Sequence, residues 1–168
     1  MTPQALGAGA AGAAVIGGGG TLAAYAAGAF GNSPYGDYYL YATASTTNGG
    51  QDRKYIGSDL SKIQELLKAA DGSSSWRASI KNTHWDEMVK TVNSPSGLTK
   101  DVIDNVKDTG NPRLNDFSSY INKWCERTAR ENVDKSKKEN GQWDSEKFNE
   151  TDNVKWKAFK EVCTIQKN

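Results

Sequence analysis

From residue 58 onward, apolar positions recur three and four residues apart, the period of a helix with one buried face, and polar breaks separate the runs. Ser58 stands where a helix cap belongs, ahead of an apolar face of Leu60, Ile63, Leu66, Leu67 and Ala70 that stops at Asp71-Gly72. Thr83-His84-Trp85-Asp86 reads as a capping box opening a second helix, with Trp85, Met88, Val89 and Val92 as its stripe and Pro95 beyond its end. Trp76 and Ile80 fall out of register with that stripe, which predicts a break near Asn82. Thr99 caps a short helix through Val102, Ile103 and Val106, closed by Gly110, and Pro112 suits the first turn of the next. That next helix has the cleanest pattern in the chain: Leu114, Phe117, Ile121, Trp124, Cys125 and Thr128 share one face. Residues 130–153 are very polar and read as a loop holding one short turn. Trp156, Phe159, Val162 and Cys163 mark a last helix, while Tyr38–Ala42 reads as a short extended piece. The pattern predicts an all-α bundle of about four to five helices, with Trp85, Phe117, Trp124, Trp156 and Phe159 as its core aromatics.

Charge divides the chain. Residues 1–52 carry Asp37 and Asp52 and no Lys or Arg, whereas residues 53–168 carry 21 basic and 18 acidic side chains, a net +3. So slight an excess, spread evenly, excludes the basic surface that non-specific nucleic-acid binding requires. Between Ala5 and Gly31 lie 27 uncharged residues, of which 11 are Ala and 9 are Gly. As a helix that length spans a hydrocarbon core of roughly 30 Å. Its strongly apolar members are only Leu6, Val15, Ile16, Leu22 and Phe30, which favour insertion by about 2 kcal/mol. The run Gly17–Gly20 opposes it at about 1 kcal/mol of helix propensity per Gly relative to Ala. Three readings stand. The segment is a membrane anchor, with Tyr35, Tyr38, Tyr39 and Tyr41 forming an interfacial belt; a cleavable signal using Ala27-Gly28-Ala29 but lacking a basic start; or a low-complexity arm. The chain thus divides into a hydrophobic anchor or signal segment at 1–34, a linker at 35–57 and a helical domain at 58–168.

Candidate chemistry is sparse. Gly7, Gly9 and Gly12 spell a dinucleotide fingerprint, but six residues leave no room for the strand ahead of it, and the first acid is Asp37. Gly12 and Gly17 have P-loop spacing, with Gly18 where the lysine must stand. Cys125 and Cys163 lie on the apolar stripes of two helices. They are either two buried thiols serving as small apolar residues or a disulfide worth about 4 kcal/mol in the chain-entropy model. His84 is the sole histidine and, at a helix start, reads as an exposed residue; no C-x-x-C or H-x-x-x-H spacing supports a metal. The acid pairs Asp86/Glu87, Asp101/Asp104 and Glu146/Glu150 lie among basic residues and read as solvated charge. Lys135, Lys137 and Lys138 alternate with Asp134 and Glu139, and Asn149-Glu150-Thr151 is a glycosylation sequon. No catalytic residue, cofactor site, metal site or small-molecule substrate is expected.

The stretch Met1–Gly31, the run Lys123-Trp124-Cys125-Glu126, and Trp156 followed by Val162-Cys163-Thr164 together resemble an uncharacterised paralogous protein family of hemotropic mycoplasmas. Those chains pair an Ala/Gly-rich N-terminal stretch with a charged helical domain carrying such Trp and Cys features. The resemblance implies location: a single-pass protein of the cell membrane, with residues 5–31 in the lipid bilayer and an extracellular helical domain. It supplies no activity, and a non-enzymatic role in host contact or as a variable antigen follows, with a host or cell-surface protein as partner. The competing expectation is a cytoplasmic-facing helical adaptor that binds a protein partner, with free thiols. The positive-inside bias of Arg53 and Lys54 leans toward it.

Overall fold

The computed structural model describes residues 35–69, 75–107 and 110–167. Helix α1 (Asp37–Thr43) leads through a single turn (Thr46–Asn48) to strand β1 (Arg53–Tyr55). Next come α2 (Leu60–Lys68), α3 (Trp76–Ser79), a wide π-helical turn (Ile80–His84), α4 (Trp85–Thr91) and a 3-10 helix (Lys100–Lys107). The long α5 (Arg113–Thr128), a 3-10 turn (Ser145–Phe148), α6 (Val154–Cys163) and β2 (Thr164–Gln166) complete the order. The fold is mostly helical, as the periodicity predicts, with one small addition. Strand β1 pairs antiparallel with β2, Arg53 facing Gln166 and Tyr55 facing Thr164, so the C-terminal end of the described chain meets the segment between α1 and α2.

The α5 stripe is the axis of the core. Phe117, Ile121, Trp124, Cys125 and Thr128 are buried, as are Tyr120 and Ser118 on its flanks, and α2 packs along it through Ile63 and Leu67. Asp59, one position past Ser58, caps α2 by accepting from the Lys62 amide at 2.9 Å, and Leu60 is left 44% exposed. Ala70 and Asp71-Gly72 lie outside the described residues.

The break expected near Asn82 is absent. The helix capped by Ser75 runs from Trp76 through Thr91 without interruption. The π-helical turn Ile80–His84 supplies the shift in register, because an i→i+5 turn rotates the stripe without ending the helix. Ile80 thus joins Trp85 and Met88 in the core. No capping box forms at Thr83: His84 already has helical backbone and caps nothing with its side chain.

Residues 35–57 are no linker. Tyr38–Ala42 is helix, not an extended piece, and Tyr35, Tyr38, Tyr39, Tyr41, Ala42, Tyr55 and Ile56 are all buried. The Gly36 amide donates to the Ala129 carbonyl at 2.9 Å, and Asp37 accepts from the Val133 amide at 2.9 Å, which fixes α1 across the end of α5. Tyr41 stacks on Phe148 at 3.9 Å between centroids and tilts against Trp143 and Trp156. The polar loop 130–153 is therefore pinned by two aromatic plugs, Trp143 and Phe148. The tyrosines that suited an interfacial belt are core residues, which removes that support for an anchor. Among the described residues no helix is long and apolar enough to cross a membrane, and the segment 5–31 lies outside them.

Candidate functional site

Cys125 lies on the buried face of α5 and Cys163 ends α6; a disulfide joins them across 38 residues, with both side chains fully buried. Of the two readings open in the sequence, the bridge is the one formed. Trp124, Phe117 and Phe159 are fully buried, Trp156 is 1% exposed and Trp85 6%, so all five expected core aromatics are in place. Four of them fall into two groups. Trp85 contacts Phe117 and Tyr120, and Trp156 joins Phe159, Tyr38, Tyr41 and Phe148. The chain leaving β1 crosses directly over the bridge. The Ile56 amide donates to the Cys163 carbonyl at 2.8 Å, and a Cβ on Gly57 would stand 2.5 Å from that of Cys125, so only glycine fits there.

His84 is buried, not exposed. It is 1% accessible, and its Nε2 lies 2.7 Å from Glu161 Oε2 of α6. An ionised carboxylate only accepts, so Nε2 carries the hydrogen. Ser79 Oγ donates to the same Oε2 at 2.9 Å. Burial pushes Glu161 up, but the hydrogen bonds from His84 and Ser79, with the charges of His84 and Lys157, outweigh it and hold the carboxyl below its ordinary range. A nucleophile relay needs the histidine between hydroxyl and acid. Here the acid stands between Ser79 and His84, and His84 Nδ1 is buried with no hydrogen-bond partner among the described residues. With Cys125 and Cys163 bonded to each other, neither offers a thiolate to His84. The arrangement ties the π-helical turn to α6; it does not line up a base behind a nucleophile.

Two further polar clusters were not legible in the sequence. Glu126 accepts from Tyr55 Oη at 2.8 Å and from Tyr35 Oη at 3.2 Å, with Arg130 3.7 Å away. Burial, then the neighbouring Glu126 charge, drives both phenols far above their ordinary value. Arg77 is 1% exposed, donates to the Leu67 and Ala69 carbonyls at the end of α2, and lies 3.6 Å from Asp104. Asp104 also pairs with Lys81, so this member of an acid pair that read as solvated instead bridges three elements. Of the other pairs, Asp86 lies 3.6 Å from Lys100, Glu87 lies 3.5 Å from Lys90, and Glu150 pairs with Lys160. Among the described residues no group of His, Cys, Asp and Glu is arranged to hold a metal ion.

No family model matches the chain, and no curated protein or solved structure is similar to it.

Proposed function

We propose that this chain is an exported surface protein, held at the cell membrane by residues 5–31, whose disulfide-stapled domain faces outward and binds a host or cell-surface protein without catalysing a reaction. The observation that carries the reading is the Cys125–Cys163 bridge, buried at the centre of the core. Such structural bridges form and persist in oxidising compartments and are rare where the cytosol keeps thiols reduced. The bridge disfavours the cytoplasmic-facing adaptor, which calls for free thiols. Arg53 and Lys54 weigh little against export, since they follow Gly31 by more than the roughly 15–20 residues over which the positive-inside bias is counted. Partner contact falls to the exposed parts of loop 130–153, held in shape from below by Trp143 and Phe148. Variation of its surface residues leaves the core untouched.

External protease applied to intact cells making the full-length protein tests this reading. It predicts loss of the domain with a membrane-retained stub ending near residue 35. Protection in intact cells, followed by digestion after lysis, would overturn it in favour of a cytoplasmic adaptor.

A further inference from the structure

One recess on the surface is basic, and it lies beside the point where the described chain begins. It has a volume of about 510 Å³ and is lined by Thr91, Val92, Asn93, Lys123, Arg127 and Arg130, with no carboxylate in its wall. Several basic side chains are matched with acids, Lys81 with Asp104, Lys155 with Glu131, Lys160 with Glu150 and Lys167 with Asp52, and at the edge of the recess Arg130 pairs with Glu126. Lys123 and Arg127 engage no acid among the described residues. Cations in the last turn of a helix also serve its C-terminal dipole, which accounts for Arg127 alone. It does not account for Lys123, a full turn earlier, which shares the recess with Thr91, whose hydroxyl donates to the Glu87 carbonyl, and with Asn93. The recess is preformed, because buried Tyr120 donates its hydroxyl to the Val92 carbonyl at 3.0 Å and locks α5 to the end of α4. Asp116 and Ser119 stand beyond Lys123 in an adjoining hollow, so the basic stretch ends there.

Its position selects among anions. The Arg130 guanidinium lies over the Tyr35 ring, 5.6 Å from the centroid, and the Gly36 amide bonds to the Ala129 carbonyl. The basic end of α5 is thus fixed against the first described residues. Only residues 32–34 separate those from the stretch 5–31, so a domain anchored there rests with this end against the bilayer.

We propose that Lys123 and Arg127, with Arg130 beside them, form a docking site for the phosphate of an anionic phospholipid headgroup, seating the domain on the membrane surface. This rests on the anchor reading for its geometry. The chemistry required is phosphate bound by a lysine point charge and an arginine fork. Each basic side chain near an anionic leaflet contributes independently of sequence context, and the contribution fades with salt.

The test uses the full chain in phosphatidylcholine nanodiscs with and without phosphatidylglycerol, reading amide hydrogen exchange. Added phosphatidylglycerol is expected to protect amides near Thr91–Asn93 and Lys123–Arg130 selectively. The double variant Lys123→Gln/Arg127→Gln, which changes two exposed side chains, should erase that protection. Equal exchange in both lipids, or protection that survives the double variant, overturns the site. A chain that fails to enter nanodiscs of either composition refutes the anchor reading, and co-sedimentation with phosphatidylglycerol vesicles then judges the site by itself. There the double variant should weaken binding by at least about tenfold, and no difference from the native chain overturns the proposal. Saturable binding of a heparin-derived oligosaccharide at these residues, without lipid-dependent protection, assigns the recess to sulfated glycans and refutes the lipid.

Discussion

Single side chains in this protein are held mostly by hydroxyl and ring contacts, and six tyrosines carry much of that work. Tyr35, Tyr38, Tyr39, Tyr41, Tyr55 and Tyr120 are all buried, and burial raises the pKa of each, Tyr38 and Tyr120 to about 12. A phenol whose folded pKa lies above its unfolded one stabilises the fold fully below the unfolded value near 10. That stability is lost as pH rises from there toward the folded values. The domain should therefore unfold cooperatively in alkali, with phenolate absorbance and loss of helical dichroism appearing together above about pH 10. Phenols that titrate near their ordinary value while the helices persist would contradict this placement. On the acid side Glu161 works in the opposite sense. Its depressed pKa contributes stability above the ordinary carboxylate value that is lost as pH falls through the folded one. Glu161→Gln should flatten the acid limb of a stability-versus-pH curve. His84→Ala tests the same tie from its other end. It removes a buried ring and its bond to Glu161, and should cost about 2–4 kcal/mol in denaturant unfolding. An exposed histidine, as the sequence pattern suggests, would change stability by less than about 0.5 kcal/mol.

At the scale of elements, what the sequence discloses is the part written in a single period. The α5 and α6 stripes are legible because Phe117, Ile121, Trp124 and Cys125 share one face, as do Trp156, Phe159 and Cys163. The α3–α4 stretch is misread because its two stripes are each in phase, yet out of phase with one another. Nothing in Lys81-Asn82-Thr83 distinguishes a π-helical turn from a break. Residues 35–57 are misread for a different reason: small and polar between Thr43 and Asp52, they have a linker's composition, and their burial depends on partners about 100 residues away, such as Asn153 accepting from Tyr38 Oη at 2.6 Å. His84 and Arg77 are hidden likewise, since a polar residue reveals burial only through the carboxylate or carbonyl it meets in the fold. If α1 and β1 are integral, a chain trimmed to residues 58–168 should lose cooperative unfolding. A linker's removal would leave the transition intact. Trp143→Ala should cost about 3–5 kcal/mol and loosen loop 130–153 to limited proteolysis, because Trp143 is a plug 7% exposed rather than a loop ornament.

The whole molecule is closed twice near the same point. The β1–β2 ladder joins the C-terminal end of the described chain to the segment between α1 and α2, and the Cys125–Cys163 bridge lies next to it. In the chain-entropy model a bridge across 38 residues contributes about 4 kcal/mol, a large share of the roughly 5–15 kcal/mol that stabilises a typical domain. Reduction should lower the thermal midpoint substantially, the more so because the bridge ties α5 to α6 at the point where Gly57 leaves no slack. The export reading turns on whether that bridge exists where the protein is made and held. The direct measurement is to quench intact producing cells in acid, alkylate the full-length protein without reductant, and count labels by mass. No label before reduction and two after it is the predicted result. Two labels before reduction would mean that Cys125 and Cys163 are free thiols in the native protein, and the outward-facing surface domain would have to be abandoned.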